Sequence, residues 1–170
     1  LLKWSRSQTG TIVLNIEEFN LKTTFDKCLN IVESQASNKQ IKLISNVPEE
    51  LNINSDQDVL ETILRNLLSN AVKFTDNNGI VTLKAERKDN SMEISVSDTG
   101  IGISEFDKNK LFRIDSKLQS RKGTSGETGS GLGLILCKEF VDKLRNLPTE
   151  YFEAKITRPV YLSEFSAAAV

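Results

Sequence analysis

Hydrophobic residues recur along this chain with two different spacings, and the spacings predict its secondary structure. Spacings of three and four residues, typical of one face of a helix, occur over 20–40, 55–75 and 131–147. Alternation with period two, typical of a half-buried strand, occurs over 11–19, 41–47 and both halves of 80–98. The last range turns at 88–91, so it predicts a hairpin.

Polar residues at the element ends support these boundaries. Asn20 precedes the first helix as a plausible N-cap, and Ser55 and Asp58 have the capping-box spacing at the start of the second. Pro48 marks a turn before a short strand at 51–54, and Pro148 ends the third helix.

The order of elements predicts a two-layer α/β sandwich with helices on one face of a mostly antiparallel sheet. Residues 99–130 contain many glycines and little core-forming pattern, and a loop of this length is usually functional or mobile. We therefore predict one domain over 11–147. It is preceded by a short amphipathic segment at 1–10 and followed by a segment of uncertain structure at 148–170.

Composition narrows the classes of function. The net charge of −1 over 170 residues gives no electrostatic indication of nucleic acid or an anionic membrane. No apolar run approaches the roughly 18 residues of a membrane span. The two cysteines, Cys28 and Cys137, lie in apolar stretches and are predicted to be reduced core thiols. The chain has no histidine, which excludes Ser-His triads and histidine-based zinc sites within it.

Three segments carry candidate chemistry. In the first, "DTGIGI" at 98–103, a carboxylate ends a strand and glycines follow it. The carboxylate of Asp98 can accept a hydrogen bond from an exocyclic amine, and glycine lets a backbone approach a ligand closely. The alternative is an ordinary Asp-Gly turn.

The second segment, "GTSGETGSGLGL" at 123–134, places glycines directly before a helix. Backbone amides at a helix N-terminus bind phosphate. No Gly-Lys-Ser/Thr follows, so it is not a Walker loop, and no strand precedes it as a Rossmann loop requires. The alternative is a flexible linker.

The third segment places two asparagines on a predicted helix. Asn66 and Asn70 are four residues apart and share a helix face, with Lys73 close beyond them. Mg²⁺ prefers oxygen ligands and is often completed by substrate phosphates, so this face is a candidate platform for a magnesium-triphosphate. The alternative is a polar stripe that faces solvent.

Taken together, "NLLSNAVKFT", "DTGIGI", "LF" and "GTSGETGSGLGL" resemble the asparagine, first glycine, phenylalanine and second glycine boxes of sensor histidine kinases. These kinases belong to the superfamily of gyrase, heat-shock chaperone, histidine kinase and mismatch-repair ATPases. The resemblance implies a Bergerat-type ATP-binding fold, with a mixed, mostly antiparallel sheet and a long mobile ATP lid.

The resemblance also implies roles for individual residues. Asn70 would ligate Mg²⁺, Asn66 would ligate it or contact phosphate, and Lys73 would contact phosphate. Asp98 would accept a hydrogen bond from the adenine N6 amine, with Phe74 packing near the base. Further nucleotide contacts are expected from the first glycine box, the lid and the second glycine box: Gly100, Gly102, Ile103, Leu111, Phe112, Arg121, Lys122, Gly129, Gly131, Leu132, Gly133 and Leu134.

The implied reaction is transfer of the ATP γ-phosphoryl group to a histidine on a separate dimerisation domain. Implied partners are that domain, a response-regulator receiver domain and a second copy of the full-length protein, with no nucleic acid. Residues 1–10 resemble the end of the dimerisation hairpin. The domain is expected in the cytoplasm, and many such kinases are anchored in the cell membrane.

Two alternatives remain open. One is an ATPase of the same superfamily, although those enzymes carry a water-activating glutamate where this chain has Asn66. The other is a degenerate nucleotide-binding module, suggested by the unusual end of the chain. The family's last helix is usually followed by a Gly-Gly turn, whereas no glycine follows Gly133 here. Two strands are predicted within 151–156 and 159–165, with 166–170 as a tail.

Overall fold

The computed structural model describes residues 13–88, 91–104, 111, 122–127, 132–145, 153–155 and 166–168. The helices are α1 (Leu21–Asn38), α2 (Gln57–Phe74) and α3 (Gly133–Arg145). The strands are β1 (Glu17–Asn20), β2 (Lys42–Asn46), β3 (Asn52–Ser55), β4 (Ile80–Lys88), β5 (Ser91–Asp98), β6 (Glu153–Lys155) and β7 (Ser166–Ala168).

The strand pairing is mixed and mostly antiparallel, as predicted. Strands β2, β4 and β5 form a sheet in the order β2-β4-β5, in which β2 and β4 are parallel and β4 and β5 antiparallel. The pairs β1–β3 and β6–β7 are antiparallel. The parallel pair is possible because β3 and α2 intervene between β2 and β4 and provide the long crossover that parallel neighbours require.

The core lies between the helices and the β2-β4-β5 sheet, and the period-two pattern decides which strand residues enter it. Val81, Leu83 and Val96 of the hairpin are fully buried, as their alternation predicted. From the helices, the core receives Leu21, Phe25, Val32, Leu60, Ile63, Leu64, Leu67, Leu68, Val72, Phe140, Val141 and Leu144. The two-layer prediction is therefore confirmed.

Both cysteines are free and buried, which confirms the prediction of reduced core thiols. Burial raises the pKa of the Cys28 thiol to about 11 and that of Cys137 to about 12. Since the thiolate is the nucleophile, both sulfurs are unreactive at neutral pH.

The caps show one prediction confirmed and one wrong. The Asn20 side chain caps α1 by accepting a hydrogen bond from the Thr23 N–H at 2.9 Å. The predicted cap of α2 was Ser55, but Asp56 caps that helix and accepts from the Val59 N–H at 2.9 Å. Ser55 is not available because it pairs with Glu17 in the β1–β3 ladder.

The chain ends also differ from the prediction. Strand β1 spans Glu17–Asn20 and therefore lies later than the predicted 11–19, because its backbone pairs with β3 only over those four positions. Strand β6 falls inside the predicted 151–156, but its partner is Ser166–Ala168, which lies in the predicted tail. The predicted strand at 159–165 lies outside the described residues.

Candidate functional site

Helix α2 is the element on which the candidate site is built. Its buried apolar face packs in the core, and the two asparagines lie outside that face. Asn66 and Asn70 are both half-buried. The Asn66 Nδ2 donates to the Thr62 carbonyl one turn earlier at 2.8 Å, which orients the amide. Within the described ranges, no side-chain hydrogen bond engages Asn70.

The start of α3 approaches Asn66 closely. A Cβ added at Gly133 would lie 2.7 Å from the Asn66 Oδ1, so only glycine fits here without displacing the asparagine amide. Leu132, immediately before the helix, is 39% exposed, and its carbonyl accepts from the Leu136 N–H at 3.0 Å. The second glycine box therefore meets the asparagine box at the point where a helix N-terminus begins.

The first glycine box meets the other end of α2. The Ile101 N–H donates to the Phe74 carbonyl at 3.1 Å, and a Cβ on Gly100 would lie 2.3 Å from the same oxygen. The Gly100 N–H donates to Asp98 Oδ1 at 2.8 Å, which orients the half-buried carboxylate at the end of β5. Gly102 has φ 65°, a left-handed conformation that favours glycine.

A third segment, the 122–127 turn, packs on the last turn of α2. The Thr124 N–H donates to the Lys73 carbonyl at 3.0 Å, and the Thr124 hydroxyl donates to the Thr75 carbonyl at 2.9 Å. The Lys73 ammonium itself lies 4.7 Å from the centre of the Phe74 ring, a cation–π distance. The backbone of Lys73 is thus held by the turn while its side chain lies over its neighbour.

The structure thus places both predicted glycine boxes against the helix that carries the asparagine box. Among the remaining predicted residues, Ile103 and Leu111 are half-buried, Lys122 is exposed, and Leu134 packs against the core. The predicted contacts that lie outside the described residues are Phe112, Arg121, Gly129 and Gly131.

Three residues near α2 were missed by the reasoning from sequence. Lys39 is only 5% exposed, and its ammonium bonds both to α2 and to Thr124 and Glu127 of the 122–127 turn. A lysine after a helix usually faces solvent, and Thr124 and Glu127 lie in the predicted second glycine box but were not among its expected nucleotide contacts. No local pattern distinguishes a buried lysine from an exposed one.

Comparison with known proteins agrees with this geometry. Residues 55–158 match the family model described as histidine kinase-, DNA gyrase B- and HSP90-like ATPase. These residues include α2, the hairpin and α3, and so most of the described fold. The match covers more than half of the chain, which therefore belongs to this family of nucleotide-binding domains.

Curated relatives specify the branch of the family. The chain is 36% identical over 139 residues, 81% of its length, to an uncharacterized sensor-like histidine kinase of Rhizobium meliloti. It is 35% identical over 154 residues, 85% of its length, to the sensor histidine kinase GacS of Pseudomonas protegens. The chain spans 26% and 16% of the length of these two proteins. It is a catalytic ATP-binding domain of the sensor histidine kinase type.

Solved structures show the same fold. The catalytic domain of the histidine kinase ThkA matches with a TM-score of 0.69 at 22% identity, over 92% of this chain and 95% of that one. ThkA in complex with the response regulator protein TrrA matches with a TM-score of 0.70 at 20% identity, over 99% of this chain and 45% of that one. Within the described part of this chain, no helix is long and apolar enough to cross a membrane.

The contact between Gly133 and Asn66 gives a first prediction. In Gly133→Ala, the new Cβ displaces the Asn66 amide, so ATP affinity is expected to fall about 10-fold, the lower range for losing a supporting contact. Alanine is a better helix former than glycine, so the melting temperature should not fall in parallel. Calorimetric titration with ATP and thermal unfolding measure the two effects. Equal ATP affinity in the variant would show that the Asn66 amide does not need this position.

The ion pair between Lys39 and Glu127 gives a second prediction, which concerns the pKa of the Glu127 carboxyl. Burial is the largest single influence and acts to raise the pKa of the Glu127 carboxyl, but the hydrogen bond from Lys39, the backbone hydrogen bonds of Glu127 and Ser125 and the Lys39 charge together hold the pKa below the ordinary 4.5. The contribution of this pair to docking of the turn is therefore present above pH 4.5 and lost as the pH falls through the lower folded value. An NMR titration of the carboxyl carbon should give a value below 4.5 in the wild type and a higher one in Lys39→Met. An unchanged value in Lys39→Met would contradict the pairing.

Proposed function

We propose that this domain binds magnesium-ATP and donates the γ-phosphoryl group to a histidine on a separate domain of the same full-length protein. The observation that carries this proposal is the convergence of three segments on α2. Gly133 lies against the Asn66 amide, and Gly100 lies against the Phe74 carbonyl. This convergence supports a nucleotide placed along α2, with its base near Asp98 and its phosphates near Asn66 and the start of α3.

The adenine end of the site is assigned to β5 and the first glycine box. The Asp98 carboxylate accepts from the Gly100 N–H through Oδ1, and a carboxylate has acceptor positions on both oxygens. We assign Oδ2 as the acceptor for the adenine N6 amine. A guanine would present a carbonyl oxygen at that position, and two acceptors would face each other. The carboxylate therefore favours adenine.

The triphosphate end is assigned to α2 and the start of α3. Asn70 and Asn66 are the proposed ligands for Mg²⁺, because their amide oxygens are hard donors on one face and the phosphates would complete the coordination. The absence of a competing bond to Asn70 within the described residues fits this assignment. The metal supplies neutralisation of phosphate charge, and Lys73 and the amides at the start of α3 add further positive potential.

The identity of Asn66 favours phosphoryl transfer over hydrolysis. An asparagine amide is not a base at neutral pH, so it does not take a proton from water. Its Nδ2 donates to the Thr62 carbonyl, so Oδ1 faces Gly133 and the start of α3. The domain then holds ATP without rapid hydrolysis until an acceptor side chain enters.

The partners follow from the proposed reaction. The chain has no histidine, so the acceptor must lie outside it, and we propose the dimerisation domain of the same full-length protein, acting as a homodimer. A response-regulator receiver domain is the proposed next acceptor, supported by the complex of ThkA with TrrA. Because ATP is the phosphoryl donor, we place this domain in the cytoplasm.

Two measurements test the proposal. Calorimetric titration of the chain with a non-hydrolysable ATP analogue should show saturable binding that Mg²⁺ strengthens. Radiolabelled ATP with the histidine-bearing domain supplied in trans should then yield acid-labile phosphate on that domain. Failure to bind the analogue at millimolar concentration would exclude nucleotide binding. Steady ATP hydrolysis without an acceptor, and no phosphohistidine with one, would instead favour the ATPase alternative.

A further inference from the structure

Lys39 is a buried lysine at the junction of α1 with β2, and its backbone is held rigidly. It is the C-cap of α1, and the next residue, Gln40, has φ 54°. The Ile41 N–H donates to the Ala36 carbonyl at 2.9 Å, and the Lys39 carbonyl accepts from the Asn78 N–H at 3.0 Å. The side chain is therefore directed inward from a backbone that is hydrogen-bonded on both sides of it.

The Lys39 ammonium first satisfies the end of α2. It donates to the carbonyls of Val72 and Lys73, each at 3.0 Å, and of Thr75 at 3.3 Å. The last carbonyls of a helix lack partners within the helix, and a positive charge is favourable beside them. These carbonyls replace part of the hydration that the ammonium loses at only 5% exposure.

The same ammonium also binds the 122–127 turn. It lies 2.7 Å from the Thr124 hydroxyl oxygen and 2.8 Å from Glu127 Oε1. Glu127 in turn orders the turn, because its Oε2 accepts from the Ser125 N–H at 2.9 Å and its carbonyl accepts from the Gly123 N–H at 2.8 Å. One charge thus connects α1, the end of α2 and the turn.

The turn is fitted tightly to the backbone of Lys73. Gly123 is buried, and a Cβ on it would lie 2.5 Å from the Lys73 Cγ and 2.8 Å from the Lys73 carbonyl oxygen. If the turn moved away, Lys73 would lose the packing partner of its side-chain stem and one hydrogen bond to its carbonyl. The position of the Lys73 ammonium therefore depends on a turn that Lys39 holds in place.

We infer that Lys39 is a positioning residue for nucleotide binding: its ammonium holds the 122–127 turn on the last turn of α2 through Thr124 and Glu127, and so positions Lys73. This inference rests on the proposed function, because Lys73 is assigned there to the phosphates. Lys39 itself does not touch the nucleotide. Its hold on the turn passes through Thr124 and Glu127, so changes in those two residues should release the turn as a change in Lys39 does.

The test uses two variants in the turn, where the core is not disturbed, and one at Lys39 itself. Thr124→Val removes the hydroxyl with little change in volume, and Glu127→Gln removes the charge. Lys39→Met removes the donors while keeping a long apolar stem. Each should weaken ATP affinity about 10-fold, the lower range for losing an outer-shell partner. The double variant Lys39→Met/Thr124→Val should show less than the sum of the two effects, because both remove the same contact.

Amide hydrogen exchange separates positioning from general loss of stability. The Thr124 N–H, which donates to the Lys73 carbonyl, should exchange at least 10-fold faster in all three variants, while the Leu64 amide in the middle of α2 keeps its protection. Lys42→Met, at an exposed lysine on β2, is the matched control and should change neither ATP affinity nor exchange.

The outcomes distinguish this inference from the proposed function. A wild-type chain that does not bind ATP overturns the proposed function. Amide exchange at Thr124 would still show whether Lys39 holds the 122–127 turn on α2. Wild-type chain that binds ATP, with Thr124→Val and Glu127→Gln binding it equally well, overturns the positioning role of Lys39. Additive losses in the double variant overturn the shared contact.

Discussion

Replacing Asp98 with asparagine is expected to weaken ATP binding about 100-fold, the upper range for losing a hydrogen bond to a charged group. The Asp98 carboxylate already accepts from the Gly100 N–H through Oδ1. An asparagine has one oxygen, so if that oxygen keeps the Gly100 contact, the NH₂ group faces the adenine N6 amine. Two donors would then face each other.

Calorimetric titration of Asp98→Asn with ATP measures this effect, and Asp76→Asn is the matched control. Asp76 is an exposed aspartate just after α2, and the same chemical change there should leave affinity unaltered. Titration with GTP adds a second readout, since the preference for ATP over GTP should narrow in Asp98→Asn. Wild-type affinity for ATP in this variant would show that the adenine does not lie at the end of β5.

Replacing Asn70 with alanine is expected to remove most of the increase in ATP affinity that Mg²⁺ provides. We expect this loss to be about 10- to 100-fold, taking one metal ligand as equal in free energy to one hydrogen bond with a charged group. Affinity for ATP without Mg²⁺ should change much less, since the amide oxygen then has no cation to bind. The helix itself should not weaken, because alanine has a higher helix propensity than asparagine.

The matched control is Asn30→Ala, at an exposed asparagine inside α1. It makes the same change of side chain at an exposed position of a different helix, so both titrations should match the wild type. The assignment of Asn70 as a metal ligand would be abandoned if Asn70→Ala kept the full effect of Mg²⁺, or if it lost affinity equally with and without the metal.

Much of the local structure was accessible from the pattern of apolar residues. The hairpin of β4 and β5 followed from alternation, because a strand with one buried face must alternate. Its apolar residues Val81, Leu83 and Val96 are fully buried. Helix α2 followed in the same way from helical spacing. The candidate site could be predicted from the glycines, since a glycine at the start of a helix lets another group approach the backbone closely. Gly133 does lie against Asn66.

Other features depended on partners distant in sequence. Ser55 satisfied the capping pattern as well as Asp56 does, but pairing with β1 drew Ser55 into a strand and moved the cap by one residue. The parallel pairing of β2 with β4 is also not visible locally, since the same alternation fits either direction. Such choices depend on packing summed over the whole domain.

By itself, then, the sequence determined the helices, the hairpin, the order of the nucleotide-binding motifs and the absence of an internal histidine acceptor. Periodicity and glycine placement are local properties of the sequence, so they can be recognised without knowing which distant segments come into contact. Only the tertiary structure decided that Lys39 would be buried and bonded to Thr124, 85 residues later in the chain. A lysine leaves water only where enough oxygens replace its hydration, and those oxygens come together only when α1, α2 and the 122–127 turn have packed.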